Sequence, residues 1–182
     1  YLITGHTGFK GAWLTLMLTQ QGHQVSGLSL DPEPGSLYEV GAVEELIQHD
    51  LRGDIRSADT VRAALETTSP DAVFHLAAQP LVRESYSDPR TTMETNVMGT
   101  FNVIEAISAV PSLQASVIVT TDKVYRNVNQ IHGYTESDPL GGHDPYSASK
   151  AMADILTQSW MLSFPSSPMA IARAGNVIGG GD

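Results

Sequence analysis

Two short clusters in the chain have the residue types and spacing of catalytic groups. The first is Tyr146-Ser-Ala-Ser-Lys150, which follows Pro145 at the start of a stretch with helical period. Residues four apart share a helix face, so the phenol and the ammonium should project side by side. A free tyrosine loses its proton near pH 10, whereas a neighbouring cation favours the phenolate and is expected to lower that value. The pair then suits removal of a proton from a substrate hydroxyl. The second cluster is Thr120-Thr121-Asp122-Lys123, directly after the apolar run from Ala115 to Val119, where a buried strand should end. Thr121 is expected to donate a hydrogen bond to the oxygen that Tyr146 deprotonates, with Asp122 and Lys123 facing the substrate. The alternative is a polar strand cap carrying an Asp-Lys surface pair.

A third cluster supplies the place for a dinucleotide. Gly5, Gly8 and Gly11 stand in TGHTGFKG, between the strand-like YLIT and a helical stretch. The first glycine allows a sharp turn, the second a close approach of backbone to pyrophosphate, and the third tight packing of helix on strand. Free N–H groups at the helix start would face the phosphates, with Thr7 and Phe9 in the same turn. Lys10 either touches a phosphate or is a solvated helix residue. Asp31 lies twenty residues beyond Gly11, where an acid accepts from ribose hydroxyls and repels a 2′-phosphate. That favours NAD over NADP, unless Asp31 only opens the DPEPG turn. Asp54 and Ile55 could meet the adenine ring, or Asp54 could cap the helix starting near Ser57. Leu76, Ala77, Ala78 and Gln79 end the fourth strand, where small residues either make room for a ligand or simply pack.

Short β-rich runs alternating with helical stretches are what must carry these clusters. Strands are predicted at 1–4, 24–30, 48–51, 71–76, 115–121 and 169–174, and helices at 9–21, 57–68, 91–109 and 145–163. The pattern is that of an α/β, doubly wound parallel sheet, the Rossmann arrangement, in which ligands bind at the carboxyl ends of the strands. All the clusters fall at such ends.

Composition sets the bounds. A chain of 182 residues fits one domain, taken here as residues 1–182. A formal net charge of −10 opposes binding to a nucleic acid through its phosphates. The chain has no cysteine, which excludes a disulfide framework and a thiol nucleophile, and no metal is expected. Its apolar runs are too short to span a membrane, so a cytoplasmic protein is the simplest expectation. The chain starts inside a strand with Tyr1 and stops directly after a strand-like stretch, so it is read as a fragment.

In this order, TGHTGFKG, Asp31, GDI, HLAAQ, TTDK and YSASK resemble the extended short-chain dehydrogenase/reductase family. The longer strings HLAAQPLVRESY, TNVMGT, GGHDPYSASK and ARAGNVIGGGD extend the likeness over the whole chain and narrow it to the nucleotide-sugar 4,6-dehydratases. That resemblance implies tightly held NAD and three steps on a sugar nucleotide. Hydride leaves carbon 4, water is eliminated across carbons 5 and 6, and the hydride returns to carbon 6, giving a deoxysugar precursor for surface polysaccharide. It makes Tyr146 the base, Lys150 its electrostatic partner and a ribose ligand, and Thr121 the hydroxyl that orients the sugar. Thr120 would lie on the cofactor side of the same segment. Asp122 would be the acid for the departing hydroxyl. Lys123 stands where related enzymes have Glu, and would act either neutral, as the carbon-5 base, or charged, beside an enolate. Asn96 would brace the active-site helices and Asn176 would meet the diphosphate. Arg83 would set substrate specificity or merely pair with an acid. The resemblance also implies a homodimer or tetramer, and a smaller substrate-binding domain beyond residue 182. Two rivals use the same fold: a nucleotide-sugar 4-epimerase, and a non-catalytic NAD-binding scaffold or sensor.

Overall fold

The computed structural model describes residues 1–165 and 168–181. Asp182, the last residue of the string ARAGNVIGGGD, lies outside them. Six parallel strands form one sheet: β1 (Leu2–Thr4), β2 (Ser26–Ser29), β3 (His49–Arg52), β4 (Ala72–His75), β5 (Ala115–Thr121) and β6 (Met169–Ala174). Their order is β3-β2-β1-β4-β5-β6. The reversal between β1 and β4 opens a crevice at the carboxyl edge, as the doubly wound reading requires. β6 ends the sheet, and among the described residues no strand pairs with its outer edge.

The helices are α1 (Phe9–Gln20), α2 (Leu37–Val40), α3 (Ala58–Thr68), α4 (Val82–Ser87), α5 (Pro89–Met93), α6 (Thr100–Ser108) and α7 (Pro145–Ser163). Local chemistry fixes their ends. Asp144 accepts from the Ser147 N–H at 2.9 Å, and Pro145 fills the first helical position, where its missing N–H costs nothing. Ser57 caps α3 by accepting from Thr60 N–H, and Ser69 closes that helix at φ 39° before Pro70. On one side of the sheet, Val61 and Leu65 of α3 and Val103, Ile104 and Ile107 of α6 pack onto Leu2, Leu28, Val73 and Ile118. Truncating a side chain as enclosed as Ile104 to Ala would cost about 2–5 kcal/mol. On the other side, Ala12 of α1 meets Tyr38 and Val43.

The helix expected at 91–109 starts at Pro89 and is interrupted. Residues Glu94–Gly99 form a wide π turn between α5 and α6. Gly99 lets the turn pack on Ile55: a Cβ there would lie 2.6 Å from that side chain. The extra residue turns Asn96 inward. The short α2 and α4, of four and six residues, were not anticipated, because one turn or so leaves no periodic signal. Among the described residues no helix is long and apolar enough to cross a membrane, and no group of three His, Asp or Glu could hold a metal ion.

Candidate active site

The glycine turn is built as three separate fits. Gly5 has φ 78°, and a Cβ on it would sit 2.7 Å from the Ala77 nitrogen, so the turn lies directly against the end of β4. A Cβ on Gly11 would sit 2.0 Å from the Gly5 carbonyl oxygen, so α1 can approach the turn only because that residue is glycine. Gly8 differs: its added Cβ would meet nothing closer than the Gly5 oxygen at 3.4 Å. Its bareness serves no protein contact. Gly8 starts α1 without a side-chain cap, and no acid stands in the first turn. Exposed backbone next to uncapped N–H groups at a helix start fits a pyrophosphate.

The neighbours of the turn divide into braces and open groups. His6 is buried beneath the turn and pairs through Nε2 with Asp50 at 2.7 Å; burial pulls its pKa down. The Thr7 hydroxyl is committed to Ser29 at 2.7 Å and to the Leu30 carbonyl at 3.1 Å, leaving its backbone for a ligand. Phe9 is half-buried beside Gly179, and Trp13 donates to the Gly180 carbonyl at 3.0 Å, so the segment after β6 lies against the start of α1. Lys10 is half-buried, not solvated, and desolvation lowers its pKa.

At the far end of the crevice, Asp31 is 91% exposed at the tip of β2, 3.9 Å from Arg52 Nε. Asp54 does not cap α3, since Ser57 does. Its carboxylate instead receives the Arg56 guanidinium at 2.6 and 2.8 Å, which holds its pKa below the usual range. Ile55 is buried against Gly99, with its side chain in the core. Leu76, Ala77, Ala78 and Gln79 line the crevice half-buried. Gln79 and Asn96 are joined: Asn96 Oδ1 accepts from the Gln79 N–H at 2.8 Å, and Asn96 Nδ2 donates to the Gln79 carbonyl at 3.1 Å and to Ser149 Oγ at 2.8 Å. Asn96 therefore ties the end of β4 to α7, one turn from Tyr146.

At the reactive end, α7 meets the end of β5. Tyr146 and Lys150 share a face, as the spacing requires. The Thr121 hydroxyl lies close enough to the phenol to favour its ionised form. Thr121 also donates to Asp122 Oδ1 at 3.1 Å; Lys123 Nζ donates to the same oxygen at 3.4 Å and to Asn176 Oδ1 at 2.9 Å. Tyr146, Thr121, Asp122, Lys123 and Asn176 are thus one connected group at the ends of β5 and β6. Lys123 is 41% exposed, so the burial that a neutral lysine base would need is absent. A cavity of about 890 Å³ opens beside Asp122 and Lys123, walled by Tyr125, Tyr134, His143 and Arg173. Two expected residues stand apart from the group. Thr120 is turned into α7, donating to Asp154 Oδ2 at 3.0 Å. Arg83 is exposed on α4, and among the described residues no acid pairs with it.

One expectation is corrected. The phenol pKa is raised: burial dominates, Thr121 works against it, and the charges of Asp122 and Asp144 add to the rise. Lys150 does not offset this because its ammonium is buried and donates to the Val119 carbonyl at 2.9 Å. Desolvation, then repulsion from Lys10, brings the Lys150 pKa down to about 8. Two ammonium groups, Lys10 and Lys150, therefore face the same space between the glycine turn and α7.

Sequence reasoning missed the residues beneath this surface. Asp154 lies four residues after Lys150, so the same i, i+4 spacing that marks Tyr146 and Lys150 could have found it. Arg173 and the His6–Asp50 brace carry no such signal, because their partners come from elements distant in the sequence.

The model of the GDP-mannose 4,6 dehydratase family matches residues 2–177. A CDP-glucose 4,6-dehydratase of Salmonella typhimurium is 45% identical over 99% of this chain and 52% of its own length. The chain thus spans about half the length of the curated relatives it matches. Among solved structures, a dTDP-glucose 4,6-dehydratase from Streptomyces venezuelae with NAD and TYD bound is similar at a TM-score of 0.85. It is 28% identical, over 99% of this chain and 56% of that one. A Thermus thermophilus UDP-glucose 4-epimerase in complex with NAD follows at a TM-score of 0.82 and 27% identity, over 98% of this chain and 55% of that one.

Proposed function

Because the chain belongs to the GDP-mannose 4,6 dehydratase family, we propose that it is the dinucleotide-binding part of a sugar-nucleotide 4,6-dehydratase that holds NAD and converts CDP-glucose to CDP-4-keto-6-deoxyglucose. The observation that carries the reading is the junction of Tyr146, Thr121, Asp122 and Lys123 at one strand end, opposite the bare Gly8 turn. NAD, when bound, would accept and return the hydride.

The chain's own groups do the rest. The first turn of α1 holds the pyrophosphate, Asp31 accepts from the ribose, and Lys150 steadies the nicotinamide end. Tyr146 removes the proton of the carbon-4 hydroxyl, which Thr121 keeps in line. Its raised pKa means that the phenolate needs positive charge, and Lys150, four residues on along the same helix face, is the group that would supply it. Asp122 gives its proton to the departing carbon-6 hydroxyl while the carbon-5 proton passes to water in the open cavity, and Lys123 beside Asp122 stabilises the enolate. Asn176, already bonded to Lys123, is placed for the diphosphate, and Arg83 for the substrate's outer part. The cavity beside Asp122 has the volume of a small-ligand site.

The protein is further proposed to be cytoplasmic and to pair with a second copy. A groove of about 430 Å³ between α6 and α7, lined by Met98, Phe101, Met152 and Ile155, is the apolar surface that supports the pairing. A smaller domain for the nucleotide is proposed to follow this one. The test is mass spectrometry of the product that the intact protein makes from CDP-glucose. Loss of one water supports the dehydratase; an isomer of unchanged mass means an epimerase, and no turnover means a binding protein.

A further inference from the structure

The face of α7 that carries Tyr146 and Lys150 has a third polar member one turn on. Residues 146, 150 and 154 are spaced i, i+4, i+8, and they lie along three consecutive residues of β5, the last two bonded to it. Tyr146 meets Thr121, Lys150 Nζ donates to the Val119 carbonyl at 2.9 Å, and Asp154 Oδ2 accepts from Thr120 at 3.0 Å. Asp154 is fully buried, and its carboxylate is gripped from the sheet by Arg173: Nε to Oδ2 and Nη2 to Oδ1, both at 2.9 Å. Arg173 is the register partner of Thr120 across the β5–β6 pair. The remaining Arg173 nitrogen donates to Tyr125 Oη at 3.1 Å and to the Glu136 carbonyl at 3.2 Å, and the guanidinium lies 5.0 Å from the Tyr125 ring centre.

We propose that Asp154, clamped by Arg173, is a positioning residue: it keeps Lys150 charged and holds the Tyr146–Lys150 face in register with the end of β5.

A buried ion pair made only for stability is a poor investment, since apolar residues of the same volume usually do as well. Here the acid stands beside the one buried lysine, whose other charged neighbour is a cation. The groups that face Lys150 are Lys10 from α1, neutral His75 from β4, the Val119 carbonyl from β5, and Tyr146 and Asp154 on its own helix. Asp154 is the only one of these bearing a negative charge, and it favours the ammonium against desolvation and against Lys10. Arg173 stops the carboxylate from rotating toward Lys150 into a closed ion pair, so the ammonium stays free to act toward Tyr146 and a ligand. The proposal rests on the reading of Tyr146 and Lys150 as the reactive pair, and the test separates the two.

The chain has three lysines, so Lys150 can be followed by carbon-13 lysine labelling in the intact protein, alongside the pH profile of kcat with CDP-glucose. In Asp154→Asn, the Lys150 titration should move acid by about one pH unit or more, and the basic limb of kcat should move with it. Arg173→Lys, which keeps the charge, should leave the titration within about 0.3 units of the parent. Should Asp154→Asn fold poorly, the double variant Asp154→Leu with Arg173→Met leaves no lone buried charge and should show the same acid shift. A Lys150 titration that does not move in either variant overturns the proposal. A titration that moves while the kcat limb stays put supports the charge-holding role and refutes Lys150 as the partner of Tyr146.

Discussion

At the scale of single residues, the site is set by which charges are buried and which are not. Tyr146 is held neutral by burial and by two nearby acids, so proton removal has to wait for positive charge brought close to it. Tyr146→Phe should lower turnover of CDP-glucose by about 10²- to 10⁴-fold while NAD still binds, read by single-turnover absorbance and by titration of cofactor fluorescence. Near-parent activity in that variant would remove the assigned base. Lys150 sets a pH limit of its own. Its pKa of about 8 lies below that of a free lysine, so in the chain without ligand the ammonium is lost as pH rises through 8. The linkage has a definite sign. The unfolded lysine is protonated at pH values where the buried one is not, so Lys150 costs stability at neutral pH, and that cost fades between about pH 8 and 10.5. Lys150→Met should therefore raise the melting temperature at pH 7 and leave it nearly unchanged at pH 10, measured by calorimetry; equal effects at both pH values would contradict the assignment.

At the scale of elements, the glycine turn separates two jobs that sequence spacing had merged. Gly11→Ala drives a methyl into the Gly5 carbonyl and should destabilise the fold by several kcal/mol, seen as loss of the cooperative melt. Gly8→Ala makes only an ordinary contact with the Gly5 oxygen and should cost less than about 1 kcal/mol, yet reduce NAD affinity by tenfold or more, measured by calorimetric titration. If both variants melt alike and bind alike, Gly8 is not the phosphate position. The strands, the four long helical segments and the residues at the strand ends were legible because alternation, helical period and capping residues are local signals. The π turn at Glu94–Gly99 was not, because it depends on how Ile55 packs against Gly99 from another element. For the same reason TTDK and YSASK announced themselves, whereas Arg173, whose partners lie on α7 and in the loop after β5, did not. The raised phenol pKa was invisible too: it depends on where the Lys150 ammonium goes, and a Val119 carbonyl takes it.

At the scale of the whole molecule, a buried histidine ties stability to pH and an exposed groove bears on association. His75 is fully enclosed, bonded to Thr4 at 2.7 Å and Thr100 at 3.0 Å, and burial pulls its pKa down to about 3. The unfolded imidazole takes a proton near pH 6.5 and the native one does not, so stability falls as pH drops from about 6.5 toward 3, by about 5 kcal/mol at the limit. His75→Gln should flatten that part of the urea-midpoint profile; an unchanged slope would place the acid sensitivity elsewhere. Ile155 stands 53% exposed in the groove between α6 and α7, and Ile155→Glu should shift the intact protein to a smaller assembly in sedimentation velocity. An unchanged sedimentation coefficient would mean that this face does not join two copies.

The open side of β6 has a consequence for handling these 182 residues by themselves. Among the described residues its outer row of amides and carbonyls has no partner strand, and it lies beside small, exposed side chains such as Ala170 and Ala172. Any extended peptide that presents a matching row can zip onto it, and another molecule's own rim is the nearest supply. Expressed alone, the polypeptide should therefore cloud or gel with increasing concentration, and a lysine in place of Ala172 should keep it clear.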